Sequence, residues 1–156
     1  MSNEENKALV RRYFEDAPHH SDACDAIFAP RLQFHTLQRA FVTPQAVESS
    51  PDSERAAYRW LESVWSPEWR MTIDEMIAEG DRVVVCWTFH GTHQGEFYGL
   101  PPTNRPVTYS GINLFRVAGG QIAEVWDLYD RLWLWQQLGV LPDLKEAIAG
   151  ARSGNS

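Results

Sequence analysis

The sequence predicts an α+β domain in which helices cover one face of a curved, mainly antiparallel sheet. Two observations support this class. Apolar residues recur at the helical period within residues 1–65, whereas residues 71–129 form long runs rich in β-branched and aromatic residues. Helices followed by a meander of strands are typical of this architecture. At 156 residues the chain fits a single domain, 1–156, with a C-terminal tail over 140–156.

Three helices are predicted in the first half of the chain. Ser2 and Glu5 form the capping-box pattern of a helix N-terminus. Pro30 ends the second helix, because proline disfavours helical backbone at the residue before it. A strand over 32–36 follows, and the sequence leaves room for a short helix after Thr43. The three helices are predicted at residues 2–16, 21–29 and 53–65.

Four strands are predicted in the second half, joined in pairs by tight turns. Residues 80–81 separate the first two strands, and the glycine-rich residues 118–120 separate the last two. Asp130 is placed to cap a helix over 131–138, and a tail helix is predicted at about 142–149. The four strands are predicted at residues 71–79, 82–92, 107–117 and 121–129.

Both faces of the predicted sheet carry apolar residues. In the last strand Val125 and Tyr129 alternate onto one face, and Ile122, Trp126 and Leu128 onto the other. An antiparallel sheet that is open to water on one side shows a polar face there. We therefore expect helices and a pocket to cover one face and a second subunit to cover the other, which makes the protein a homodimer.

Composition restricts the partners of this chain. Fourteen Lys+Arg against 21 Asp+Glu give a net charge of −7 without a basic cluster, which argues against nucleic acid and anionic membranes. No apolar run approaches the ~20 residues of a membrane span, and the N-terminus is polar, so we expect a cytoplasmic protein. Aromatic residues make up 12% of the chain, which favours a small hydrophobic molecule as ligand.

Neither a metal site nor a covalent nucleophile is predicted. His90 and His93 are three residues apart on a strand, so their side chains point to opposite faces. Nucleophile elbows, phosphate-binding loops and Cys–His signatures are absent from the sequence. We therefore expect no cofactor, and the remaining chemistry is proton transfer by groups held in an apolar cavity.

Asp127 is the strongest candidate for a general acid or base. It interrupts an otherwise apolar strand, where desolvation would raise its pKa, although a surface or interface role is an equally good interpretation. Asn113 is the other polar residue in an apolar setting. It faces the same side as Asp127 if the hairpin between Val117 and Gln121 has a three-residue loop, and a bulge at the glycines would reverse this. The alternative for Asn113 is a buried amide bonded to backbone groups.

Five further residues are candidates for a pocket wall. His35 ends the first strand and His93 lies in a polar connector, and a structural role is the simpler interpretation of each histidine. The other three are aromatic and fit a pocket wall or a packed core equally well. These are Trp87, Tyr109 and Phe115. Glu124 alternates onto the face opposite to Asp127, where an ion pair in an interface is its favoured role.

Several segments of the chain are similar to those of a known family. They are Asn6–Arg12, Ile77–Val84, Gly91–Thr103, Ile122–Asp127 and Gln136–Gly139. In this order, over residues 5–140, they resemble the SnoaL-like polyketide cyclases, also called ester cyclases. The resemblance implies the cone-shaped α+β barrel of the nuclear transport factor-like superfamily, in which a curved sheet and helices enclose a pocket, usually in a dimer.

The resemblance also implies a mechanism. In the characterised cyclases, an Asp on the last long strand is the acid/base of an intramolecular aldol condensation without metal or cofactor, and Asp127 matches that position. Those enzymes carry an assisting His on the preceding strand, where this chain has Asn113, which can orient a carbonyl but cannot exchange protons. We expect a cyclase or isomerase acting on a hydrophobic, polyketide-like carbonyl substrate. The alternatives are a non-catalytic binding module and an epoxide hydrolase or dehydratase of the same superfamily.

Overall fold

The computed structural model describes residues 1–36 and 47–153 as N-terminal helices, further short helices and a six-stranded, mainly antiparallel sheet, which confirms the predicted α+β class. The helices are α1 (Asn3–Glu15), α2 (Cys24–Ile27), α3 (Pro51–Val64), α4 (Arg131–Gln137) and α5 (Leu144–Ser153). The strands are β1 (Phe28–Thr36), β2 (Val47–Ser49), β3 (Arg70–Glu79), β4 (Arg82–Thr92), β5 (Pro106–Ala118) and β6 (Gln121–Tyr129). None of the described helices is long and apolar enough to cross a membrane.

The strand order is β2-β1-β6-β5-β4-β3. Neighbouring strands are antiparallel except β1 and β6, which are parallel. A parallel pair cannot be closed by a tight turn, and here the chain passes through α3 and the β3–β5 meander before β6 returns beside β1. As a result β6 lies between β1 and β5, and a side chain on it has neighbours on both sides.

Local side-chain signals define the helix ends. The Ser2 hydroxyl accepts from the Glu5 backbone N–H, and the Glu5 carboxylate accepts from the Ser2 N–H at 2.6 Å, which confirms the predicted capping box. Ser50 caps α3, with a proline at the first helical position. Asp130 Oδ1 accepts from the backbone N–H of Trp133 at 2.9 Å, so α4 begins directly where β6 ends.

The beginning of the sheet differs from the prediction. β1 starts at Phe28 and includes Pro30, which the sequence predicts to be only a helix stop. The pairing of β1 with β6 shifts between Phe28 and Gln33, so Pro30 lies in an irregular stretch where its missing N–H removes no ladder bond. The three residues of β2 are too few to show an alternation pattern. The helix predicted after Thr43 lies outside the described residues.

The hairpin between β5 and β6 is built differently from the prediction. Residues 119–120 form a two-residue turn, with φ of +60° and +82°, where a three-residue loop is predicted. A bulge then shifts the register between Arg116 and Val117. A two-residue turn alone would place Asn113 and Asp127 on opposite faces. The bulge reverses this, and the two residues are direct partners across the strands.

The core lies between the helices and the face of the sheet that they cover, called the inner face below. Alternate residues of β4 and β5 are buried on this face, and the residues between them lie on the opposite, outer face. Helix α1 contacts β3, β4 and β6, and its buried side chains close the inner side of the sheet. Any space left in this layer is therefore lined by residues from both helices and strands.

Candidate active site

A cavity of about 170 Å³ lies between the inner face of the sheet and the helices. Its wall is mostly aromatic, with one carboxylate and one carboxamide among the described residues. The wall is formed by Tyr13, Phe14, Phe34, Tyr58, Trp60, Leu61, Trp65, Met71, Trp87, Phe89, Phe97, Tyr98, Tyr109, Asn113, Asp127 and Tyr129. An apolar cavity of this size holds about one six-membered ring.

Asp127 lies on β6 with a polar residue opposite it on each neighbouring strand. Its register partners are Thr36 on β1 and Asn113 on β5. The Thr36 hydroxyl donates a hydrogen bond to the carboxylate. The Oδ1 atom of Asp127 is buried and has no hydrogen-bond partner among the described residues. A buried carboxylate oxygen of this kind can exchange a proton with a bound molecule.

The surroundings of Asp127 change its acidity. Burial raises the pKa of Asp127 above the usual value of an aspartate, while the hydrogen bond from Thr36 and the positive charge of Arg131 partly oppose this shift. A raised pKa means that the carboxylate is a stronger base than one in water. The same residue can therefore remove a proton from a ligand and return it later.

Asn113 is held by a neighbour on β4. The indole N–H of Trp87 donates to Asn113 Oδ1 at 2.5 Å, and only 7% of Trp87 and 3% of Asn113 is exposed. A hydrogen bond at this depth is shielded from competition by water. The carboxamide is thus fixed on the cavity wall beside Asp127.

Five tyrosines add hydroxyl groups to the wall. Tyr98 is exposed, and the four others are Tyr13, Tyr58, Tyr109 and Tyr129. Burial raises the pKa of each of the four, so the hydroxyls stay protonated at neutral pH and can donate hydrogen bonds. Arg131 donates to the Tyr129 hydroxyl at 3.0 Å. Asp127 therefore changes its charge more readily than these four hydroxyl groups.

Four of the predicted site residues meet at this cavity: Asp127, Asn113, Trp87 and Tyr109. His35 is not among them, and its prediction as a pocket residue is wrong. Side chains alternate along β1, so Phe34 reaches the cavity and His35 lies on the outer face. There the His35 ring stacks on Trp126, with the ring centroids 4.5 Å apart.

His93 and Phe115 also lie outside the cavity wall, contrary to the prediction. His93 is fully buried, and its Nδ1 accepts from the backbone N–H of Thr103 at 3.2 Å, while its ring packs near Trp65. Burial lowers the pKa of His93, which favours the neutral ring. Phe115 lies behind the wall, with its ring centroid 5.0 Å from that of Tyr13. Both residues therefore support the structure rather than the cavity surface.

The sequence pattern misses three groups that the structure brings to Asp127 and the cavity. Tyr13 and Tyr58 fit the apolar stripes of α1 and α3, and the pattern predicts them only as core residues. Their hydroxyls, at positions that Leu or Phe could fill, are the signal that could have identified them. Thr36 carries no comparable signal, because its place opposite Asp127 depends on the parallel pairing of β1 with β6.

Metal-ligating side chains do not cluster in the described parts of the chain. No group of three or more His, Cys, Asp or Glu residues lies together in residues 1–36 and 47–153. His90 contacts Thr108 on the outer face at 3.3 Å, whereas His93 contacts Thr103 in the interior. The donor set of the cavity, one carboxylate among amide and phenol groups, fits an organic ligand better than an ion.

Comparison with known sequences gives a consistent family. Residues 8–138 match the family described as SnoaL-like polyketide cyclase. Nogalonic acid methyl ester cyclase from Streptomyces nogalater is 26% identical over 93 residues, which cover 60% of this chain and 69% of that protein.

Solved structures with the same fold come from several bacteria. AclR from Streptomyces galilaeus, a candidate hydroxylase, is 27% identical with a TM-score of 0.73, covering 98% of this chain and 92% of AclR. IdmH from Streptomyces antibioticus, a candidate polyketide cyclase, is 25% identical with a TM-score of 0.72, and the match covers 86% of this chain and 99% of IdmH. A candidate SnoaL-like polyketide cyclase from Jannaschia sp. CCS1 is 25% identical with a TM-score of 0.75, and the match covers 90% of this chain and 95% of that protein. The chain belongs to the SnoaL-like polyketide cyclase family.

Proposed function

We propose that this protein is a cofactor-independent acid/base catalyst that closes a ring in, or isomerises, a hydrophobic carbonyl substrate of polyketide type. The observation that carries this proposal is the buried Asp127 oxygen without a hydrogen-bond partner on the wall of an aromatic cavity. Its raised pKa suits a base that must also act as an acid. The likeness to nogalonic acid methyl ester cyclase favours ring closure over the other reactions of the superfamily.

The proposed reaction uses only groups of this chain. Asp127 removes a proton from a carbon next to a carbonyl, and the Asn113 amide stabilises the enolate oxygen that develops. The enolate carbon then attacks a second carbonyl of the same molecule, so that one carbon–carbon bond forms and an alkoxide results. Protonated Asp127 returns the proton to this alkoxide. No electrons leave or enter, so the step requires no redox partner.

The size of the cavity restricts how a polyketide could bind. About 170 Å³ accommodates roughly one ring, which is less than most drug-sized ligands require. A second, apolar depression of about 650 Å³ lies next to it, lined in part by Leu100, Leu132 and Leu141, and Tyr98 lines both spaces. We infer that the reacting end of the substrate enters the cavity while the rest of the molecule lies in this depression.

Two assays test the proposal. The first measures ring closure of nogalonic acid methyl ester, and the second measures deuterium incorporation into the methyl group of acetophenone in D₂O. We expect wild-type protein to accelerate at least the exchange, and Asp127→Asn to return both rates to that of buffer while keeping the fold. Glu124→Gln, which removes a carboxylate from the outer face of the same strand, is the matched control and should keep wild-type rates. Full activity in Asp127→Asn contradicts the proposal.

The same assays separate a catalyst from a binding module. A non-catalytic protein would bind acetophenone and show neither exchange nor ring closure in any variant. It would also keep its affinity for acetophenone in Asp127→Asn. This combination of results would replace the catalytic proposal with a binding function.

We propose further that the outer face pairs with a second copy of this chain. Ile112 and Leu128 are direct partners across β5 and β6 on this face, and they are 49% and 46% exposed. Apolar side chains in such a position are typical of an interface. Sedimentation analysis should show a dimer for the wild type and a monomer for Ile112→Lys. A wild-type monomer at micromolar concentration contradicts this pairing.

A further inference from the structure

We propose that Trp87 and Gly111 position Asn113, by fixing its carboxamide so that the amino group faces the cavity beside Asp127. This inference rests on the proposed function and names the group that would be recognised. That group is a carbonyl oxygen whose neighbouring carbon presents a proton to Asp127. Trp87 and Gly111 act through Asn113 and are positioning residues.

The indole of Trp87 determines which way the carboxamide points. The oxygen and nitrogen of an Asn side chain have nearly the same shape, and packing alone does not distinguish them. The indole N–H can only donate, so the Asn113 atom 2.5 Å from it is the carbonyl oxygen. The amino group of Asn113 leaves the same carbon in another direction and points away from the indole.

The strand order then sets the direction of the amino group. β5 lies between β4, which carries Trp87, and β6, which carries Asp127. Because the oxygen of Asn113 is turned toward β4, its amino group lies on the side away from β4, which is the side of β6. Asp127 is the direct register partner of Asn113 on that strand. The donor of one side chain and the acceptor of the other therefore lie side by side on the cavity wall.

Gly111 makes this arrangement sterically feasible. It is the register partner of Trp87, and the indole lies across β5 at this position on its way to Asn113. A side-chain carbon at residue 111 would collide with Cζ2 of Trp87 and would lie 2.9 Å from the carbonyl oxygen of Leu128. Because one of these obstacles is backbone, the strand cannot easily shift to make room. Because residue 111 is glycine, the indole of Trp87 can pass over it and reach Asn113, two positions further along β5.

The resulting pair matches an enolisable carbonyl compound. A ligand oxygen can accept from the Asn113 amino group while the adjacent carbon–hydrogen bond faces Asp127 Oδ1, which has no partner among the described residues. A flipped carboxamide would present a second acceptor next to Asp127, and it would repel both that carboxylate and a ligand carbonyl. Trp87 therefore decides whether the cavity recognises a carbonyl group or only an apolar shape.

A packing role for Trp87 predicts something different. Its ring also contacts Tyr109 and Tyr129, with centroids 6.0 and 6.4 Å away. If Trp87 only packs, its loss changes the binding of all ligands of one shape by the same factor. If it positions Asn113, its loss changes only the binding of ligands that carry the carbonyl.

Two probes of the same shape distinguish these roles. They are acetophenone and α-methylstyrene, in which a CH₂ group replaces the carbonyl oxygen. We expect Trp87→Phe to weaken acetophenone binding about tenfold, the loss of one buried hydrogen bond, and to change α-methylstyrene binding less than twofold. Asn113→Leu should do the same, and the double variant should lose no more than either single one. Equal weakening of both probes, or multiplied losses in the double variant, overturns the proposal.

Trp65→Phe is the matched control. Trp65 also lies on the cavity wall, and its indole N–H has no hydrogen-bond partner among the described residues. Its replacement should change the binding of both probes by the same factor. A selective loss of acetophenone binding in this variant would show that any indole on the wall has the effect, and would overturn the assignment to Trp87.

Nuclear magnetic resonance of the wild type provides a second readout that does not depend on the folding of Trp87→Phe. The side-chain amino resonance of Asn113, identified by its loss in Asn113→Leu, should shift with acetophenone and stay in place with α-methylstyrene. Equal shifts, or none, overturn the proposal. An inactive Asp127→Asn together with such a result refutes the positioning of Asn113 alone, whereas an active Asp127→Asn refutes the proposed function.

Discussion

Glu124 and Asp127 lie three residues apart on β6, on opposite faces of the sheet, and their pKa values shift in opposite directions. On the outer face, Arg116 donates to Glu124 at 2.9 Å and lowers the pKa of that carboxyl. On the inner face, burial raises the pKa of Asp127, whose partner on β5 is the amide of Asn113. The outer carboxylate is stabilised by its ion pair, whereas one oxygen of the inner carboxylate has no hydrogen-bond partner among the described residues.

The comparison teaches that burial and the presence or absence of an opposite charge set the acidity of a carboxylate. Both acids belong to one strand and both have a register partner on β5. A guanidinium opposite the carboxylate neutralises its charge, whereas a neutral amide leaves the charge desolvated and only partly bonded. The inner face therefore gives up stability at Asp127, where the charge of the carboxylate is only partly compensated.

The largest expected difference between the two faces is in packing. Phe115→Ala removes a side chain with 0% exposure from the inner face, and we expect a loss of about 3–5 kcal/mol in the free energy of unfolding. Ile77→Ala, at a position 59% exposed on the outer face, should cost less than about 1 kcal/mol. Urea unfolding of both variants checks this difference. Similar losses would show that the two faces are equally packed.

Gly111→Ala is expected to have the next largest effect. The added methyl group collides with the Trp87 ring on the inner face, and overpacking of this kind costs about 1–3 kcal/mol. Gly150→Ala in α5, where a side-chain carbon would meet nothing within 4 Å, should leave stability unchanged or slightly higher. Thermal unfolding of the two variants checks both expectations. An unchanged stability of Gly111→Ala would mean that the indole of Trp87 has room to move.

Asp127→Asn should stabilise the protein by about 1 kcal/mol at neutral pH, because it removes a desolvated charge. The folded protein holds the Asp127 proton more tightly than the unfolded chain, so the cost of the charge is complete above the raised pKa. The advantage of the variant should shrink as the pH falls through that pKa towards about 4. Urea unfolding of both proteins between neutral pH and about pH 4 measures this difference in the free energy of unfolding. An advantage that grows on acidification would show that the pKa of Asp127 is lowered instead.

Glu124→Gln should show the smallest effect and the opposite sign. The variant loses the ion pair with Arg116, which is partly exposed and worth about 0.2–1 kcal/mol. Because the pKa of Glu124 is lowered in the folded state, this stability is complete above about pH 4 and disappears as the pH falls through the lowered value. Unfolding at low and high salt checks the assignment, since screening should abolish the difference. A difference that persists at 1 M salt would point to packing.

Local signals made much of the fold predictable. The capping box at Ser2 and the cap at Asp130 act within one helical turn, and the structure confirms both. β4 and β6 have the predicted bounds because alternation over nine or more residues is a strong pattern. β2 and the first part of β1 were not predictable, since a three-residue strand and a proline-containing stretch show no such pattern.

The candidate site was predictable only in part. Asp127 and Asn113 stand out because each is polar within an apolar strand. His35 was a pocket candidate because it ends the first strand, and a strand end does not show which face of the sheet meets the helices. Thr36 and the hydroxyls of Tyr13 and Tyr58 reach the site from elements far away in the sequence, and no local pattern connects them with Asp127.

The sequence by itself determined the α+β class, the helix caps, the long strands and the polar residues that interrupt them, since these depend on interactions within a few residues. Only the tertiary structure decided which groups surround Asp127. The bulge at Arg116 and Val117 restores the pairing of Asp127 with Asn113, and the parallel pairing of β1 brings Thr36 to its other side. The indole of Trp87 reaches Asn113 across 26 residues of sequence. Strand register sets such contacts, and a shift of one residue would turn every side chain to the other face.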